Sequence, residues 1–156
     1  MVNMKFIADN MLAKLAKYLR ATGYNCIYPP PRKFQEIKRL TESESRIFLT
    51  RSKKYNKLLP QEKLHIIQSD NFSQQFREIF SKFNLELREE KMFSLCLLCN
   101  EPVKPVDKEE IKEQLPEMTI KLYSEFYICP KCHRIYWYGG HTKRMKEKIN
   151  SIITRK

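Results

Sequence analysis

The chain has 156 residues, 42% apolar and 31% charged, and 30 Lys and Arg against 18 Asp and Glu give a formal net charge of +12. Nine Phe and eight Tyr can fill a core, which excludes collagen-like, mucin-like and wholly disordered classes, and no apolar run is long enough to span a bilayer. The length suits one domain plus a small appendage, and the basic excess points to a polyanion, nucleic acid above all. The opening from Met1 to Lys5 lacks a signal-peptide design, so the chain is read as cytoplasmic.

In chain order, residues 5–8 read as a buried strand ending at Asp9. A helix follows, capped by Asp9 or Asn10, with Met11, Leu12, Leu15, Ala16 and Leu19 at helical spacing and Gly23 just past its end. Lys14, Lys17 and Arg20 recur every third residue and are assigned to its polar side. Residues 25–28 read as a second strand, stopped by Pro29, Pro30 and Pro31. Phe34, Ile37 and Leu40 predict a helix over 34–44, and residues 46–50 are the clearest strand. A further strand covers 63–68, and Phe72, Phe76, Ile79, Phe80 and Phe83 predict an amphipathic helix over 72–83. Strands alternating with helices build parallel βαβ units, so residues 1–90 are expected to form an α/β domain around a mostly parallel sheet.

No glycine-rich loop follows the first strand, which disfavours a dinucleotide or Walker site. Ligands of an open parallel sheet bind beyond the carboxyl ends of its strands. Three such ends are legible: Asp9, then Thr50-Arg51-Ser52, then Ser69-Asp70. A carboxylate at Asp9 suits a Mg²⁺ or Mn²⁺ ion beside a phosphodiester, because hard ions take oxygen ligands; it suits a helix cap equally well.

Four of the five cysteines form two pairs, Cys96 with Cys99 and Cys129 with Cys132. In a chain without a signal peptide such pairs read as metal ligands. A two-residue gap lets both thiolates turn onto one ion, and two knuckles complete a tetrahedral sulfur site. Filling all four positions makes it a structural Zn²⁺ site, with an iron–sulfur cluster and a redox dithiol as competing readings. The 29 residues between the knuckles are more than the motif needs. An acidic helical insertion at about 101–125, with a helix over 107–115, absorbs them. The ribbon is placed at 91–142 and a basic helix or tail at 143–156. From Lys131 onward eight bases face Glu147 alone. Cys26 stands by itself in an apolar stretch and reads as a buried thiol.

Residues 6–24, the strand Arg46 to Arg51, and the blocks around Cys96-Leu97-Leu98-Cys99-Asn100 and Cys129-Pro130-Lys131-Cys132 to His141 together carry a resemblance. In this order they resemble the PIN-like RNase domain family named after the C-terminal part of the Mut-seven exonuclease. The resemblance implies a PIN-like three-layer α/β/α domain with a zinc ribbon attached, and ribonuclease activity dependent on a divalent metal. Against the family's pattern, Ser52 stands where an acid follows Thr-Arg, and Lys33-Phe34-Gln35-Glu36 stands near its middle acid. The catalytic acids are then Asp9, with Glu36 by a shift in register and Asp70 from the neighbouring strand end. Losing one carboxylate weakens both ion binding and activation of the attacking water, so the expected centre is degraded, slow or inactive.

Tyr127, Tyr136, Trp137 and Tyr138 lie among the bases of the ribbon. Unpaired RNA bases stack on such rings while Lys and Arg hold phosphates. Trp137 reads as packing the ribbon against the main domain, and Tyr138, on the other face of its strand, as the stacking residue. The RNA contacts are assigned to Lys14, Lys17, Arg20, Arg51, Arg134, Tyr138, Lys143, Arg144 and Lys146. His65 reads as a core residue and His141 as a hydrogen-bonding neighbour of the knuckle. Two functions follow: an RNA- or ribosome-binding protein on a retired nuclease fold, or a Mg²⁺- or Mn²⁺-dependent endoribonuclease cutting single-stranded RNA.

Overall fold

Four short strands, β1 (Phe6–Ala8), β2 (Cys26–Ile27), β3 (Ile47–Thr50) and β4 (Leu64–Ile66), pair side by side in the order β2-β1-β3-β4, all parallel. They belong to a computed structural model that describes residues 3–155, so Met1, Val2 and Lys156, the last base of the tail, lie outside the described residues. Phe6 is in register with Cys26 on one side and Ile47 on the other, and Thr50 with Ile66. Parallel strands need crossovers, and three helices supply the layers: α1 (Ala13–Ala21), α2 (Phe34–Ser43) and α3 (Phe72–Lys82).

Alternation along each strand splits the core in two. Ile7, Phe48 and Leu64 point to the face covered by Ile37 of α2 and by Leu59. Phe6 turns to the opposite face, where its ring lies 5.6 Å from Phe83, and α1 packs there beside α3 through Tyr18 against Phe72 and Phe76. The result is the expected α/β/α arrangement. Burial of Phe6, Phe48, Phe76, Leu15 and Leu19 is essentially complete, and each contributes about 1.5–3 kcal/mol.

The predicted elements are recovered with shorter strands. The first helix begins differently: Asn10–Leu12 form a 3-10 turn before α1, because the Asp9 side chain accepts from the Asn10 N–H at 2.8 Å and Asp9 is its N-cap.

The chain divides into two compact units at Asn100, rather than at the expected junction near residue 90. Residues 91–100 are fastened to the first unit: the Phe93 N–H donates to the Ala21 carbonyl at 2.8 Å, and the Asn100 side chain bonds both Asn25 and Cys26. The backbone of Lys91 also crowds Gly23. That glycine has φ +90°, and a Cβ there would stand 2.6 Å from the Lys91 carbonyl oxygen. Gly23→Ala is therefore expected to destabilise the protein by about 1–3 kcal/mol, read as a lower urea midpoint at unchanged slope.

In the second unit, β5 (Lys104–Val106), β6 (Phe126–Ile128) and β7 (Ile135–Tyr136) form an antiparallel sheet in the order β5-β6-β7. Between β5 and β6 stand two short helices, α4 (Lys108–Ile111) and α5 (Glu117–Leu122). The expected single helix over 107–115 is thus cut short, and a new one starts after Pro116, whose fixed φ suits a helix entry. The basic tail is helical: α6 spans Gly140–Thr154 and buries Met145, Ile149 and Ile152 at helical spacing. Phe126 is buried, and its ring lies 6.1 Å from that of Trp137, which packs within this unit. No helix among the described residues is long and apolar enough to cross a membrane.

Candidate functional site

The two cysteine pairs are built alike. In each, the N–H of the second cysteine points at the sulfur of the first, Cys99 to Cys96 Sγ at 3.4 Å and Cys132 to Cys129 Sγ at 3.5 Å. The following residue closes the turn with an N–H bond to the first cysteine's carbonyl, at 2.9 Å for both Asn100 and His133. Both of these residues have left-handed φ, +67° and +63°, a conformation that Asn and His adopt more readily than most side chains. Such a loop leaves two sulfurs on one side of a tight backbone turn.

The four ligand sulfurs lie within 4.8 Å of one another. Four sulfurs grouped this closely could hold one ion, since tetrahedral Zn–S bonds of about 2.3 Å set sulfur–sulfur edges of about 3.8 Å. Cys96 and Cys129 are fully buried while Cys132 is exposed. The donor set fits a soft-metal site such as zinc, with no position left for substrate. Cys26 takes no part: it is buried, its burial pushes the thiol up to about 12, and it stays protonated at neutral pH. His141 is exposed in the first turn of α6 and makes no side-chain hydrogen bond among the described residues, so the expected bond beside the knuckle is not formed.

Arg20 corrects the sequence reading. It is buried at 4% exposure and donates to four carbonyls. Its Nε reaches Cys26 O at 2.9 Å, Nη1 reaches Leu97 O at 2.9 Å and Leu98 O at 3.2 Å, and Nη2 reaches Tyr28 O at 3.1 Å. The guanidinium thus binds the first knuckle's backbone to β2 and cannot serve as a phosphate contact. At 100° per residue, Arg20 stands about 120° round the helix from Lys14. A three-residue repeat therefore drifts off the polar face, where Lys14 and Lys17 remain exposed.

At the strand ends, Asp9 and Thr50 meet. Neighbours β1 and β3 flank the point where strand order reverses, which is where open parallel sheets bind ligands. The Asp9 carboxylate is buried at 7% exposure, and its Oδ2 accepts from Thr50 Oγ1 at 2.5 Å. Thr50 Oγ1 in turn accepts from the Ser52 N–H at 3.0 Å. The other two expected acids do not join this centre. Glu36 is exposed on α2 and paired with Arg39 at 2.9 Å, which holds its carboxyl below the usual range. Asp70 is exposed in the bend before α3. Among the described residues, the four cysteines are the only three-or-more group of His, Cys, Asp and Glu placed to share an ion.

A family-wide pattern described as the Mut7-C RNAse domain matches residues 4–149. The chain belongs to the Mut7-C RNase domain family. The match spans both the parallel sheet and the cysteine knuckles, so the α/β fold and the sulfur cluster come under one RNase-related family. Comparison with curated proteins finds no match.

The remaining predicted contacts lie at the surface. Arg51 is exposed just beyond β3, and Arg134, Lys143 and Arg144 are exposed in the second unit. Tyr138 is 53% exposed, with Lys146 Nζ 5.9 Å from its ring centre. His65 is not a purely apolar core residue, since its Nε2 lies 2.8 Å from Glu78 Oε1. Thr50 is legible only as a strand end, not as the partner of Asp9, and Asn100 not as a site residue at all. The first needs the β1–β3 pairing to be known, and the second is marked only by following a CxxC pair.

Proposed function

We propose that this chain is an RNA- or ribosome-binding protein on a PIN-like RNase fold, binding through basic residues and a structural zinc ribbon, with a degraded acidic centre. The observation that carries the reading is the strand-end site itself. Asp9 sits at the point where strand order reverses, but its partners are Thr50 and, one bond further, Ser52, while Glu36 is spent on Arg39. A hydroxyl binds a hard cation more weakly than a carboxylate, so ion binding and water activation suffer together. Binding draws support from Arg51, Lys14 and Lys17 in the first unit, and from Tyr138 beside Lys146 in the second. A ring under an ammonium can take a base on its face while the lysine holds the adjoining phosphate.

A cleavage assay on single-stranded RNA with Mn²⁺ tests this. The native chain is expected to bind without measurable turnover, and Ser52→Asp to gain cleavage. Native cleavage abolished by Asp9→Asn would establish the endoribonuclease instead.

A further inference from the structure

In the first unit a polar hollow of about 280 Å³ lies along β4. Its walls are Lys53 and Asn56 from the turn after β3, Gln61 from the turn before β4, His65 of β4, Gln68 just beyond it, and Lys82 at the end of α3. The hollow exists because β4 is an edge strand: among the described residues β3 covers one side of it and no strand covers the other. Lysines beside an open edge discourage pairing with a stray strand, and Lys82 also suits the C-terminus of its helix. Neither role requires a concave site lined with amide donors.

We infer that this hollow is a phosphate-binding subsite, with Lys53 and Lys82 as its cations and the Asn56 and Gln61 amides as hydrogen-bond donors. Neither lysine has an ion pair among the described residues, and no carboxylate lines the walls. Glu78 is engaged with His65 at 2.8 Å, and the Gln68 amide donates to Ile66 O at 3.2 Å, which fixes that side chain at the rim. The position gives the subsite its use. Lys53 directly follows Ser52, whose N–H is bonded to the Thr50 hydroxyl of the strand-end centre. One wall of the hollow, Lys53, is thus a single residue along the chain from the strand-end centre. The RNA form of the inference rests on the proposed RNA-binding role, whereas phosphate binding by the hollow does not.

The test is titration of the zinc-loaded full chain with inorganic phosphate, with pyrophosphate and with a hexauridylate, followed by amide NMR. Saturable shifts are expected at Lys53, Asn56, Gln61 and Gln68, and the double variant Lys53→Gln with Lys82→Gln should weaken pyrophosphate binding at least tenfold. Both side chains are exposed, so an unchanged thermal midpoint verifies the fold. Competition between hexauridylate and pyrophosphate assigns the subsite to an RNA backbone, and pyrophosphate binding alone assigns it to a free phosphate ligand. Shifts confined to α6, or no saturable shift at these amides, overturn the inference. Hexauridylate binding that the double variant leaves untouched overturns the RNA form of the inference while leaving RNA binding elsewhere on the chain standing, and pyrophosphate binding that the double variant leaves untouched overturns the subsite.

Discussion

Stripping the ion with a strong chelator is expected to abolish the ordered structure of the second unit while β1–β4 survive. The reason lies in its size. Strands β5, β6 and β7 hold three, three and two residues, and the buried apolar side chains are few: Ile111, Phe126, Met145, Ile149 and Ile152. So small a core falls short of the conformational entropy it must offset, and domains of this size ordinarily need a metal or disulfides. Zinc on four thiolates supplies about 10 kcal/mol toward folding, enough to reverse the balance. Hydrogen exchange is the measurement. Amides of β6 and β7 should lose protection on chelation and regain it with Zn²⁺, while those of Phe48 and Leu49, inside a fully buried strand, keep theirs. Retained protection at Ile128 and Ile135 in metal-free protein would remove the structural role of the ion.

Much of this architecture was legible because it depends on local periodicity. Helices α2 and α3 end within one residue of expectation, since Phe34-Ile37-Leu40 and Phe72-Phe76-Ile79 fix a buried face directly. The knuckles were legible because two-residue cysteine spacing has few other uses. What failed depends on contacts between distant residues. The Asp9–Thr50 bond spans 41 positions. The place of Arg20 is set locally, because three-residue spacing does not keep to one side of a 3.6-residue helix.

Arg20→Ala is the second large effect, and it separates a buried brace from a surface contact. The substitution leaves the carbonyls of Cys26, Tyr28, Leu97 and Leu98 without this donor and opens a void where a guanidinium stood. Hydrogen bonds from a charged donor contribute about 1.5–3 kcal/mol, and each buried acceptor left unsatisfied costs about 1–3 kcal/mol, so a total loss of about 3–5 kcal/mol is expected after partial relaxation. Arg20→Lys should recover little of it, because an ammonium cannot reproduce a planar fork directed at four oxygens. Two of those oxygens lie inside the first knuckle, between Cys96 and Cys99, so zinc affinity should fall by about 10–100-fold, as it does when the partners that orient metal ligands are removed. Denaturant titration of the zinc-loaded chain and competition with a chromophoric chelator read the two effects. A surface phosphate contact would behave oppositely: stability and zinc affinity would hold, and the salt dependence of RNA binding would drop by about one ion. That opposite pattern is expected for Lys17→Ala, one turn earlier on the exposed side of the same helix.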